Sequence, residues 1–267
     1  MRQLIAFEFR KLVRSKAIYI CMIVMAVLHI ASVLIAKSTM DLMTSMAGDI
    51  YGLDSEMFAY SGLKYLISAC SGANMTIFFG IFVTIFVCSD FTEGTIKNIV
   101  ARGFNREKIF FAKSIAISTG SIVFGLASML VSFVCGTIAF GAGKGFNFDM
   151  VLQILVQLLA LVAYTMLNVL LGVLFGKLGG ALTLGIIIPI VSPLIFQLLD
   201  LCIVLLAKDA STATQDFFSR FTVSTNLGNI SSIGVPGKDV AFAAVIFGVY
   251  ICLFSLLGVL AIRKKEV

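Results

Sequence analysis

The sequence predicts an all-α membrane protein of six transmembrane helices, and three observations carry that reading. Of the 267 residues, 60% are hydrophobic and 13% charged, whereas soluble domains hold about 45–50% apolar and about 25% charged residues. The apolar residues gather into runs of the roughly 20 needed to cross about 30 Å of hydrocarbon. Six such runs cover approximately 17–36, 65–88, 109–141, 150–177, 180–206 and 240–262, in one domain over 1–267. Only three prolines are present, and no series of alternating ten-residue segments, so the pattern is that of a helical bundle and not of a barrel.

The net charge of +6 would suit nucleic acid if it were gathered on one soluble surface. Instead it follows the membrane. With six spans both termini share a side, and assigning the termini, the 89–108 loop with the start of span three, and Lys177 to that side gives it 14 basic residues against 6. That side is expected to be the cytoplasm. The opposite segments hold nine of the fourteen acids, which leaves the basic excess facing anionic lipid or an acidic partner. The six cysteines (Cys21, Cys70, Cys88, Cys135, Cys202 and Cys252) all fall within the spans without metal-ligand spacing, and read as small apolar residues.

Taken in order, residues 1–16 mix charge and bulk and do not read as a signal peptide. Leu4, Ile5, Phe9, Leu12 and Val13 share one helical half, with Arg10, Lys11 and Arg14 on the other, which predicts an amphipathic helix in the interface; Arg2, Phe7 and Glu8 break the pattern. Span one contains His29, the sole histidine, a residue more suited to an interhelical hydrogen bond than to a metal site. The segment 37–64 is acidic (Asp41, Asp49, Asp54, Glu56) with room for a short surface helix. Span two offers Asn74 and Thr76 as interhelical hydrogen-bonding groups. Span three is apolar for over thirty residues, about 48 Å at 1.5 Å each, so it must tilt, break near Gly120 or Gly125, or project past the bilayer with Lys113 near its inner boundary. Span four carries Gln153, Gln157 and Asn168, then Gly172 and Gly176 in a G-x-x-x-G packing pattern. Span five holds Pro189 and Pro193, expected to kink it and free backbone carbonyls, and Asp200 on its outer third. The segment 207–239 is polar with Phe217, Phe218 and Phe221 in its middle, and span six ends on Arg263-Lys264-Lys265.

The stretch between spans two and three is the least generic. At 100° per residue Phe91, Ile96, Ile99 and Val100 fall on one half of a helix, and Glu93, Lys97, Asn98 and Arg102 on the other. Asp90 precedes Glu93 at capping-box spacing, Gly103 suits a left-handed helix end, and Gly94 within the first turn suggests close backbone approach to a neighbour.

Catalytic chemistry is missing. There is no H-E-x-x-H, no G-x-S-x-G and no carboxylate pair within a span. The segment Gly141-Ala142-Gly143-Lys144-Gly145 lacks the first glycine of a phosphate loop and has Gly145 where a hydroxyl must bind magnesium. The chain is therefore not expected to be an enzyme. Nor do the spans hold the ladder of buried charges an ion-coupled carrier needs.

Asp90-Phe91-Thr92-Glu93-Gly94-Thr95-Ile96-Lys97-Asn98-Ile99-Val100-Ala101-Arg102-Gly103-Phe104-Asn105-Arg106, with Lys113 following in span three, resembles the intracellular loop of ABC-2-type transporter permeases. In that family a Glu-Gly-Thr core opens the helix between spans two and three, and Gly followed by Ser-or-Asn-Arg ends it; Asn105 stands where Ser is commoner. The resemblance implies the membrane-spanning subunit of an ABC exporter in the bacterial cytoplasmic membrane, both termini cytoplasmic. It implies an ATP-binding cassette subunit as partner, with ATP and Mg bound there and no cofactor bound directly, and a second permease copy or close paralogue. The loop would be the coupling helix, with Asp90, Glu93, Gly94, Thr95, Lys97, Asn98, Arg102 and Arg106 at the ATPase interface, and Asp200, Asn74 and Phe217 are candidates for a substrate path. Substrates of the family include lipids, polysaccharides, drugs and peptides. Compact six-span members accompany peptide-antibiotic immunity or the export of phenol-soluble modulins, so the expected cargo is an amphipathic peptide or another hydrophobic compound. No nucleic-acid partner is expected. The rival readings are an ion-coupled secondary carrier and a non-transport assembly or sensor component.

Overall fold

The computed structural model describes residues 1–47, 60–71, 73–143, 146–206 and 217–264. Asp49, Asp54 and Glu56 of the acidic segment, Lys144 and Gly145, the polar run 207–216 and Lys265 lie outside those residues. The described residues are helical and form no strand. In chain order they are α1 (Arg2–Arg14), α2 (Lys16–Ala47), α3 (Gly62–Ser68), α4 (Ala73–Thr92), α5 (Thr95–Ala101), α6 (Arg106–Phe140), α7 (Phe148–Phe175), α8 (Leu178–Leu206), α9 (Val223–Asn229) and α10 (Gly237–Lys264). Six of them, α2, α4, α6, α7, α8 and α10, are long and apolar enough to cross a membrane.

α7 is the central helix, packed against α10, α6, α4 and α8 and buried along most of its length. α8 and α10 lie against it and α2 against α6 and α4, and these three turn rows of large apolar side chains outward, among them Ile23 and Leu34, Leu194 and Leu198, Val245 and Leu256. In hydrocarbon such rows need no cover, because lipid tails are as apolar as the side chains. The core between α4 and α6 is aromatic: Phe82 stacks on Phe124 with centroids 6.0 Å apart, and Phe79 lies 5.9 Å from Phe124. Two polar pairs tie this core to α7. Ser121 meets Thr165 at 2.7 Å, and Thr84 donates to Asn168 Oδ1 at 3.1 Å.

The spans agree with the apolar runs except at the second. The run 65–88 is two helices, because the chain turns at Ala69–Ser71 and the short α3 lies against the far end of α6. Gly136 admits the Tyr65 ring there, and the amides of Gly62 and Leu63 bond to the carbonyls of Gly141 and Ala142 at 2.9 and 3.2 Å. Part of the glycine-rich segment thus closes α3 onto the bundle. Span three does not break at Gly120 or Gly125: α6 runs unbroken for 35 residues, and its first turns project beside α1. Those glycines seat neighbours instead, Leu12 at Gly120 and Leu158 and Leu161 at Gly125.

The expected G-x-x-x-G seam divides into two roles. Gly172 packs on Val87 of α4, whereas Gly176 adopts φ +63° and ends α7. In α8 the carbonyl of Pro189, deprived of its helical donor because Pro193 has no N–H, accepts from Ser224 of α9 at 2.8 Å. α9 is tied further to α7 through Tyr164 and Ser224 hydroxyls 2.7 Å apart and Gln157 donating to the carbonyl of Ile230 at 3.2 Å.

Candidate functional site

At the end of the bundle carrying α1, the first turns of α6 and the last turns of α4 and α10, the chain builds a corner around α5. Its start and stop are set by two glycines. Gly94 takes φ +65°, ψ +15° as the residue before the helix, and Gly103 takes φ +85° after it. Left-handed geometry is nearly free for glycine and costs other residues about 1–2 kcal/mol. Within this chain nothing would lie within 4 Å of a Cβ at Gly94, so here that glycine supplies a turn. Asn105 then opens α6, its side chain accepting from the Glu107 amide at 3.4 Å.

α5 is two-faced as its periodicity predicts. Ile96 is buried, and Ile99 and Val100 join Leu4 and Ile5 of α1 with Phe104, Ile109 and Ala112 in one apolar cluster. Glu93, Lys97, Asn98 and Arg102 are exposed, with Thr95 half-buried beside them. Arg106 is the first residue of α6, and its neighbour Glu107 accepts from Arg263 of α10 at 2.6 Å.

Asp90 departs from its expected place. It does not cap α5, because α4 continues through Thr92 and Gly94 occupies the cap. Its carboxylate is 1% exposed and forms ion pairs with Lys11 of α1 and Lys113 of α6. It is therefore an interior group and not a docking-surface one. Lys113 Nζ lies 3.7 Å from the Glu8 carboxylate, and Glu8 is itself fully buried. Both ammonium groups sit over the Phe86 ring, at 5.3 Å for Lys11 and 5.2 Å for Lys113, and Lys11 also donates to Ser89 Oγ at 3.0 Å. Two carboxylates and two ammoniums, drawn from α1, α4 and α6, thus share one space.

Burial dominates the electrostatics of the α1 pair. It pushes the Glu8 carboxyl up to about 7 against the downward pull of Lys11. It also pulls the Lys11 ammonium down, opposed first by Glu8 and then by Glu93 on the exposed turn before α5. Neither Glu8 oxygen meets a hydrogen-bond donor among the described residues.

The sequence pattern missed Glu8 and misplaced Lys11. Glu8 interrupts the amphipathic wheel of α1, yet it lies in line with Leu4 and Leu12, four residues either way, and those three form the buried stripe. Val13, expected on that face, is 63% exposed. A carboxylate centred in an apolar stripe, together with Asp90 and Lys113 at the ends of apolar runs, was the signal that could have found the group.

The substrate-path candidates gather at the other end of the bundle, in different settings. Asp200 is 3% exposed, and its two oxygens accept from the backbone amides of Phe218 and Ser219 at 2.7 and 2.9 Å. It caps the 3₁₀ turn Ser219–Phe221 and so is committed to holding backbone. Phe217 is half-exposed and packs edge-on against Phe218 and Phe221. Asn74 stands in the first turn of α4, its side chain outside the described set. Among the described residues no group of His, Cys, Asp and Glu is placed to hold a metal ion.

No curated protein matches the chain. The family model described as ABC-2 family transporter protein matches residues 4–200, a span that takes in α5, the group of Glu8, Lys11, Asp90 and Lys113, and five of the six long helices, the fifth as far as Asp200. With its all-helical bundle and six membrane-length helices, the chain belongs to the ABC-2 family of transporter proteins and is a multi-pass membrane permease.

Proposed function

We propose that the chain is the membrane-spanning subunit of an ATP-driven exporter, with the α1 end of the bundle in the cytoplasm of a bacterial cell and the polar face of α5 seated on an ATP-binding cassette subunit. ATP and Mg are held by that subunit, an expectation that follows from family membership. The observation that carries the reading is the two-faced α5, whose apolar side is fixed to α1 and α6 while Glu93, Lys97, Asn98 and Arg102 project outward. Motion of a bound ATPase can move spans only through an element joined to them, and α5 is joined to α4 by two residues and to α6 by four.

The apolar rows on α2, α8 and α10 support contact with lipid and with a second permease copy. Amphipathic peptides, antibiotic or toxin, and other hydrophobic compounds are the proposed cargo, because a bundle this apolar offers few fixed charges to a polar solute.

The test is a pair of charge reversals on the exposed face. Glu93→Lys and Arg102→Glu should each lower co-purification of the ATP-binding subunit by at least about tenfold, with the variants still inserted and helical. An undiminished complex in both variants overturns the docking role.

A further inference from the structure

α1 is fastened to the docking corner by two different devices. Leu4 and Ile5 share the apolar cluster of Ile99, Val100, Phe104, Ile109 and Ala112. One turn further along, Glu8 and Lys11 enter the group formed with Asp90 and Lys113. A helix resting only on a lipid surface would turn such charges to water, since a charge taken out of water without a partner is heavily penalised. Here Glu8 is fully buried and Lys11 three-quarters buried, each facing opposite charge. Beyond α1 the joint is short: Ser15 alone separates α1 from α2, and its amide bonds back to the Leu12 carbonyl at 3.1 Å.

We infer that Glu8, Lys11, Asp90 and Lys113 form a clasp that fastens α1 to the ends of α4 and α6 that carry α5, so that a push on α5 reaches α2 through α1 as well as reaching α4 and α6 directly. This rests on the reading of α5 as the docking helix. The four are positioning residues, since they lie on α1, α4 and α6 and not on the exposed face of α5.

Hydrogen–deuterium exchange on the vesicle-reconstituted complex with the ATP-binding subunit tests the clasp, comparing nucleotide-free and vanadate-trapped states. In the wild type, residues 2–14 and 95–101 should change protection together when nucleotide is trapped. In Lys11→Met the complex should still form and 95–101 should still respond, while 2–14 exchanges about tenfold faster and no longer responds to nucleotide. Lys11→Arg should restore the joint response, which a merely space-filling side chain would not need. If Lys11→Met fails to accumulate, the near-isosteric Glu8→Gln serves, with the same expectation at smaller amplitude. A wild-type α1 that ignores nucleotide, or a Lys11→Met α1 that still follows it, overturns the clasp. A wild-type chain that binds no ATP-binding subunit overturns the docking reading itself, a different result.

Discussion

Asp90 shows how far one carboxylate can govern a corner. It faces two ammonium groups in a space closed to water, and removing one partner from such a group leaves the others uncompensated. Asp90→Asn should therefore lower stability by about 3–5 kcal/mol, read as thermal unfolding in detergent micelles, and more than Lys97→Ala on the exposed face. Glu8 predicts a pH dependence of definite sign. Its folded-state value of about 7 exceeds the ordinary 4.5, so between these values the folded chain keeps a proton the unfolded chain has released. Its contribution is present below pH 4.5 and is lost as pH rises to 7, and Glu8→Gln should flatten that window in a pH series of unfolding midpoints. Lys11, shifted downward, acts oppositely, its contribution growing as pH rises towards the ordinary 10.5. At this scale the sequence was least legible. Lys11 lies 79 residues from Asp90, and no local periodicity reports a pairing across that distance, so Asp90 looked like a helix cap and Glu8 like a flaw in the wheel.

At the scale of elements the sequence was more legible, because each helix obeys rules written within its own length. The two faces of α5 and its glycine stop follow from spacing and side-chain chemistry. What periodicity could not give was the break between α3 and α4, where both pieces are apolar and only packing on α6 decides the turn. Nor could it separate Gly172, which packs, from Gly176, which ends a helix. The structure predicts different results for the two. Gly172→Ala forces a methyl against the stiff Val87 side chain and should cost about 1–3 kcal/mol. Gly176→Ala meets the left-handed strain of about 1–2 kcal/mol. Thermal unfolding of the two variants side by side checks the order.

For the whole molecule, hydropathy alone marked the class and six crossings, since the bilayer enforces length and composition more strictly than any packing rule. Orientation is the corresponding prediction. A membrane-impermeant maleimide added to intact cells should label Lys238→Cys at the start of α10 and spare Lys97→Cys on α5 until the membrane is opened; the reverse pattern would invert the topology. The hydroxyl of Ser224 on the Pro189 carbonyl has a bearing on how α8 behaves beyond that point. A proline inside a lipid-facing rod leaves an unsealed joint at the carbonyl one turn before it, and the neighbouring segment plugs it. Straightening or swinging α8 at that point means exchanging the plug for another donor, which inside hydrocarbon can only be water. The joint should thus be stiff while dry and loosen once wetted, so that hydration itself acts as the lubricant for any opening at that end.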